Sequence, residues 1–125
     1  MTARAKAILA IALLFISGRD AVTADLDRGR RIFQTCASCH VLDRDRSTFG
    51  PYLKGVFGRR IGSLPDYNYS PAMKVAGADG KSWDEQTLGE FLYSPAKAIP
   101  GTKMRFWGLW NSDIEDLVAF LKVQH

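Results

Sequence analysis

Cys36-Ala37-Ser38-Cys39-His40 is the place in this chain where residue types and spacing combine into recognisable chemistry. Two thiols three positions apart can add to the two vinyl groups on one edge of a porphyrin. A histidine directly after the second cysteine is then carried beneath the iron as an axial ligand. C-x-x-C alone also serves dithiol redox centres and half of a zinc site. Cys36 and Cys39 are the only cysteines, so zinc would have to recruit both histidines, and His125 is the last residue, where chains fray. A thioredoxin-like centre needs a βαβ context, which the sequence lacks. The pentapeptide therefore reads as an attachment site for one covalently bound haem c, with His40 on the iron.

The N-terminus fits that chemistry. Arg4 and Lys6 precede an uncharged, almost wholly apolar run from Ala7 to Ser17. This is the layout of a secretory signal peptide, and the run is too short to span a bilayer. Val22-Thr23-Ala24 places small residues at −3 and −1, whereas cleavage after Ala21 would put Arg19 at −3. The expected organisation is a cleaved signal peptide over 1–24 and one domain over 25–125. Export to the periplasm also matches the compartment where bacteria attach haem covalently. The whole chain carries a formal charge of +4, and loss of the leader lowers it further. That is mildly basic, unlike a nucleic-acid binder.

The domain reads as all-α. Asp27 is placed to cap a first helix running through Ile32 and Phe33 towards the cysteines. Val41 to Gly80 is rich in glycine and proline and reads as turns. A structureless stretch of that length needs an internal organiser, which a haem would supply. Ser82-Trp83-Asp84-Glu85 has capping-box spacing and opens a helix bearing Leu88, Phe91 and Leu92, ending before Pro95. Ser112-Asp113-Ile114-Glu115 repeats that spacing. The helix behind it carries Ile114, Leu117, Val118 and Leu121 at i, i+3, i+4 and i+7.

A haem that carries electrons commonly takes a second axial Met or His. Met73, Met104 and His125 are the candidates. Met73 follows Pro71 in the turn-rich stretch, and His125 is terminal. Met104 closes Ile99-Pro100-Gly101-Thr102-Lys103-Met104, where a Pro-Gly turn can hold an extended segment against the haem face, so Met104 is favoured.

From Gly29 to about Lys122 the chain resembles class I c-type cytochromes, the family of the mitochondrial protein and its soluble bacterial relatives. The resemblance rests on Gly29, Phe33, the C-A-S-C-H site, Gly50-Pro51, Leu53, Gly55-Val56-Phe57-Gly58-Arg59, Trp83, Leu88, Leu92, Pro95 and Ile99 to Met104. It implies a small fold of helices and long turns around one haem, with His40 and Met104 as axial ligands. It implies that Gly29 and Phe33 pack the first helix against Leu117 and Phe120. It also implies that the Pro51 carbonyl accepts the free ring N–H of His40, and that Arg59, Tyr69 and Trp83 donate to a buried haem propionate. Three positions depart from the common pattern. Phe91 stands where many relatives have a tyrosine bonded to the methionine sulfur, Ala98 replaces an aromatic, and Tyr52 an asparagine.

A haem closed on both faces leaves no vacant site for substrate, so the expected role is one-electron carriage, not enzymatic catalysis. Axial methionine raises the potential relative to two histidines. That suits a soluble, monomeric shuttle between a quinol-oxidising complex and an oxidase or reaction centre. Two other readings stand beside it: a dedicated cytochrome partner of a periplasmic dehydrogenase, and a haem enzyme or gas sensor with an open sixth position. Lys97, Lys103, Arg105 and Lys54 are candidates for a basic docking ring, with Trp107 as an apolar competitor for that role. Asp43-Arg44-Asp45-Arg46 alternates in sign and reads as a solvated loop.

Overall fold

A computed structural model describes residues 23–125. All but the last two residues of the expected signal peptide lie outside the described residues. The element order is α1 (Leu26–Phe33), α2 (Pro71–Ala78), α3 (Glu85–Tyr93), α4 (Pro95–Ala98) and α5 (Asn111–Lys122). Among the described residues there is no strand, only an isolated bridge between Arg60 and Ser82.

Helix α1 starts two residues earlier than Asp27 suggested. Asp25 is the N-cap, accepting from the Arg28 amide at 2.9 Å, and Asp27 falls in the first turn, where the macrodipole favours an acid. Gly29 and Phe33 form its buried face. That face packs on α5, with the Phe33 and Phe120 rings 5.9 Å apart, a contact worth about 1 kcal/mol beyond its buried area. At Gly29 the helices come so close that a Cβ would stand 2.2 Å from the Asp116 carbonyl oxygen and 2.7 Å from the Phe120 Cβ. The expected contact of this helix with the last one is thus made, and Gly29 meets Asp116 and Phe120. Leu117, buried to 1 % exposure, belongs to the same core.

The capping boxes shift as well. Asp84, not Ser82, caps α3, its carboxylate accepting from the Thr87 amide at 2.8 Å while the Thr87 hydroxyl accepts from the Asp84 amide at 2.9 Å. The N-cap of α5 is Trp110, which makes no side-chain cap bond. Ser112 therefore lies inside the first turn, and the expected box there does not form.

The turn-rich stretch contains a helix the glycine and proline count obscured. Ser70 caps α2, accepting from the Met73 amide at 3.2 Å, and Pro71 opens it, since a first-turn residue needs no amide donor. Residues 58 to 61 are tied to 81 to 83 by backbone bonds from Gly58 to Trp83, Ile61 to Lys81 and Trp83 to Arg59, at 2.6, 3.0 and 2.9 Å. These pairings hold the long segment to the start of α3. Pro95 similarly opens the short α4, which lifts the chain into the 99–110 loop.

Candidate haem site

The first ligand group is a tight turn at the end of α1. The Cys36 amide donates to the Phe33 carbonyl at 2.8 Å, and the Cys39 and His40 amides both donate to the Cys36 carbonyl, at 3.1 and 3.0 Å. The turn brings two free thiols and the imidazole to one side, Cys36 half-buried and Cys39 exposed. Burial pushes the Cys36 thiol up from its ordinary value.

His40 is fixed by its neighbours. Its Nδ1 lies 2.7 Å from the Pro51 carbonyl oxygen. A carbonyl can only accept, so Nδ1 carries the proton and Nε2 is the basic nitrogen. Burial, opposed by this bond, lowers the imidazole's proton affinity and keeps it neutral, the state a metal ligand requires. Gly50 provides the room. A Cβ there would stand 2.7 Å from Cε1 and 2.9 Å from Nδ1 of His40. The Gly50 amide and the Thr48 hydroxyl also donate to the Cys39 carbonyl, each at 2.9 Å, locking the turn from below.

These groups face a cavity of about 480 Å³, within the range of small-molecule sites, about 300–1,000 Å³. Its walls are apolar side chains of α1, α3 and α5, among them Phe33, Leu88, Phe91, Leu117 and Leu121. Every site residue expected from the sequence lines it: Cys36, Cys39, His40, Pro51, Arg59, Tyr69, Trp83 and Met104. Arg59 donates to the Tyr52 carbonyl at 2.7 Å and to the Lys54 carbonyl, and lies 4.6 Å over the Tyr52 ring. Burial pulls its guanidinium below its ordinary value and pushes the Tyr69 phenol up. The Trp83 and Phe91 rings meet at 5.1 Å, so the apolar Phe91 serves as packing there.

Met104 reaches the cavity from the irregular loop between α4 and α5. The turn before it closes through the Thr102 amide and the Ile99 carbonyl at 3.0 Å, and the Met104 amide donates to the Thr102 hydroxyl at 3.3 Å. Lys103 anchors the loop sideways through Nζ to the Asn68 carbonyl. Beyond it, Leu109 donates to the Leu92 carbonyl at 3.0 Å. Gly108 sits at φ +97, where a side chain would strike the Tyr93 carbonyl.

Met73, set aside in favour of Met104 because it follows Pro71 in a stretch that reads as turns, lines the cavity as well. It is buried on α2 and faces the same cavity; Ser70-Pro71, as cap and first helical residue, is the signal that would have placed it. His125 is exposed at the chain end. Among the described residues no three His, Cys, Asp or Glu side chains gather as a metal site, so the C-x-x-C has no further ligands of those types for zinc.

A thiol pair beside a neutral imidazole, on the rim of a mostly apolar cavity inside an all-helical domain, defines a small protein that binds haem covalently. The comparisons agree. Residues 26–124 match the cytochrome c family. Cytochrome c2 of Agrobacterium tumefaciens (strain II Chrys) is 41% identical over 99 residues, covering 78% of this chain and 89% of its own. Cytochrome c of Gibberella zeae is 44% identical over 101 residues, with 78% and 92% covered. Among solved structures, cytochrome cH from Methylobacterium extorquens superposes with a TM-score of 0.71 at 36% identity, over 79% of this chain and 98% of that one. The chain belongs to the cytochrome c family, and its cofactor is haem c, one per chain and covalently attached.

Proposed function

We propose that this protein is a soluble one-electron carrier of the periplasm, with its haem iron held between His40 and Met104. The observation that carries the reading is the convergence of Cys36, Cys39, His40 and Met104 on one largely apolar cavity. The bound haem supplies a ferrous–ferric couple. The chain's own residues set how that couple is used. Cys36 and Cys39 fix the porphyrin edge through thioethers, so the carrier does not lose its cofactor. Pro51 orients His40 and leaves Nε2 as the donor to iron. Met104, which lines the same cavity from the 99–110 loop, would be the second protein ligand to the iron and would keep substrates and gases from it. Arg59, Tyr69 and Trp83 offer donors to a propionate that would be costly to bury alone.

Among the described residues no helix is long and apolar enough to cross a membrane. Carriage between a quinol-oxidising complex and an oxidase, reaction centre or dehydrogenase, with a leader cleaved before Asp25, completes the proposal.

Replacing Met104 with alanine tests it. The oxidised wild type should show the weak far-red band of sulfur-to-iron charge transfer, and Met104→Ala should lose it. The reduced variant should also bind carbon monoxide rapidly, where the wild type binds it slowly. Equal carbon monoxide rates for the two proteins would sink the closed-site reading.

A further inference from the structure

Asp116 is a carboxylate set into the contact between the first and last helices, only 7 % exposed. Its Oδ2 accepts from the Arg28 guanidinium at 2.6 Å, and Arg28 also reaches Asp113. Its Oδ1 takes the backbone nitrogen of Asp25, at 2.7 Å. That bond first, helped by Arg28, holds Asp116 below the ordinary carboxylate range.

Asp25 is also the residue expected to follow the leader. Its carboxylate caps the Arg28 amide and its carbonyl accepts from the Gly29 amide, both at 2.9 Å. These acceptors lie on the C-terminal side of its nitrogen and survive scission of the Ala24–Asp25 bond. Hydrolysis by a leader peptidase adds water across that bond. The hydroxyl goes to the Ala24 carbonyl carbon and a proton to the Asp25 nitrogen, which takes a second proton at neutral pH. The group 2.7 Å from Asp116 then changes from an amide N–H to an ammonium.

We infer that leader removal installs an ion pair between the new α-ammonium of Asp25 and Asp116, fastening α1 onto α5. The inference rests on the leader boundary proposed above. Two effects oppose it: the positive end of the α1 macrodipole, and the Arg28 charge on the same carboxylate. The carboxylates of Asp25, Asp27 and Asp116 at this helix end outweigh them, and Arg28 is shared with Asp113. An ammonium that donates to a carboxylate also makes a shorter, stronger hydrogen bond than an amide does.

The pH signature follows from linkage. An α-amino group ordinarily titrates near pH 8, and pairing raises that value in the folded protein. The added stability is therefore complete below about pH 7.7 and is lost as pH rises through the raised folded value. The bonds from the Asp25 nitrogen and Arg28 hold Asp116 low, and the bond to Asp116 holds Arg28 high, so both keep their charges, and within this contact it is the ammonium that changes in that window.

The test compares the exported holoprotein with a form carrying one extra alanine before Asp25, which turns the same nitrogen back into an amide. The wild type should have a two- to fivefold smaller unfolding constant at pH 7, about the yield of a well-placed ion pair. The difference should vanish at pH 10.5. Asp116→Asn should abolish the difference at pH 7, and the pH comparison alone decides if that variant does not fold. A ratio of one at pH 7, or a ratio unchanged at pH 10.5, overturns the ion pair. Intact-mass measurement separates the two ways of failing, because a terminus other than Asp25 overturns the leader boundary and the ion pair with it.

Discussion

Replacing Gly29 with alanine sets two known effects against each other at one carbon atom. Gly29 lies inside α1, where alanine is favoured over glycine by about 1 kcal/mol on propensity alone. The added Cβ would stand 2.2 Å from the Asp116 carbonyl oxygen and 2.8 Å from its carbonyl carbon. Both are backbone atoms, so no rotamer change relieves the contact. The helices must separate by more than an ångström, loosening the Phe33–Phe120 pair and the Asp25 and Arg28 bonds to Asp116. Overpacking typically costs about 1–3 kcal/mol, and a backbone clash belongs at the top of that range. The net loss is then about 2 kcal/mol, a fall in Tm of roughly 8–16 °C for a domain of this size. Gly89 in α3 is the matched control. Its Cβ would meet only an Ile114 methyl, at 3.8 Å, so Gly89→Ala should stabilise by up to about 1 kcal/mol. Denaturant unfolding followed by far-ultraviolet circular dichroism measures both, with the m-value checking that the denatured state is unchanged. Gly29→Ala as stable as wild type would refute the close approach. Parallel losses in both variants would refute the steric reasoning.

Two further outcomes concern the haem and its partners. Cys36→Ala and Cys39→Ala should each lower the yield of holoprotein, while acidified acetone should leave haem on the wild type; complete extraction from wild type would reject thioether attachment. Docking separates into charge and apolar contact at two exposed positions: if a basic ring steers the partner, the Lys97→Glu electron-transfer rate should fall and the wild-type rate should drop with salt. If the fully exposed Trp107 (102 %) dominates, the large loss should instead follow Trp107→Ala, with no salt dependence in wild type.

What the sequence made legible, and what it hid, follows from how local each signal is. The Cys36 to His40 site declares itself because its chemistry fits in one turn of chain. Helices α3 and α5 were readable from apolar spacing, since a buried stripe must recur with the helical period. Their starts were not, because competing caps lie within a few residues. Asp84 and Thr87 satisfy each other's donors better than Ser82 and Glu85, and only coordinates decide between them. Helix α2 was lost because Ser70 and Pro71 suit a turn as well as a helix start, and because Gly77 weakens the pattern. That glycine is demanded from outside the helix, as a Cβ there would strike the Ile61 carbonyl. The Asp25–Arg28–Asp116 cluster joins residues about ninety positions apart, and no periodicity announces such a contact.

The segment that carries Met104 has its own logic. It is fastened at one end by the Ile99–Thr102 turn and at the other by Leu109 on Leu92, with Gly108 pressed against Tyr93. Between those fastenings the chain has no regular secondary structure and few bonds of its own, so its span is set by the number of residues it contains. The height at which the thioether hangs is then measured out in residues. Point substitutions between the anchors leave that measure alone, whereas one inserted or deleted residue resets it. A lineage could thus vary the outer face of this segment widely while the count from Thr102 to Gly108 stays fixed.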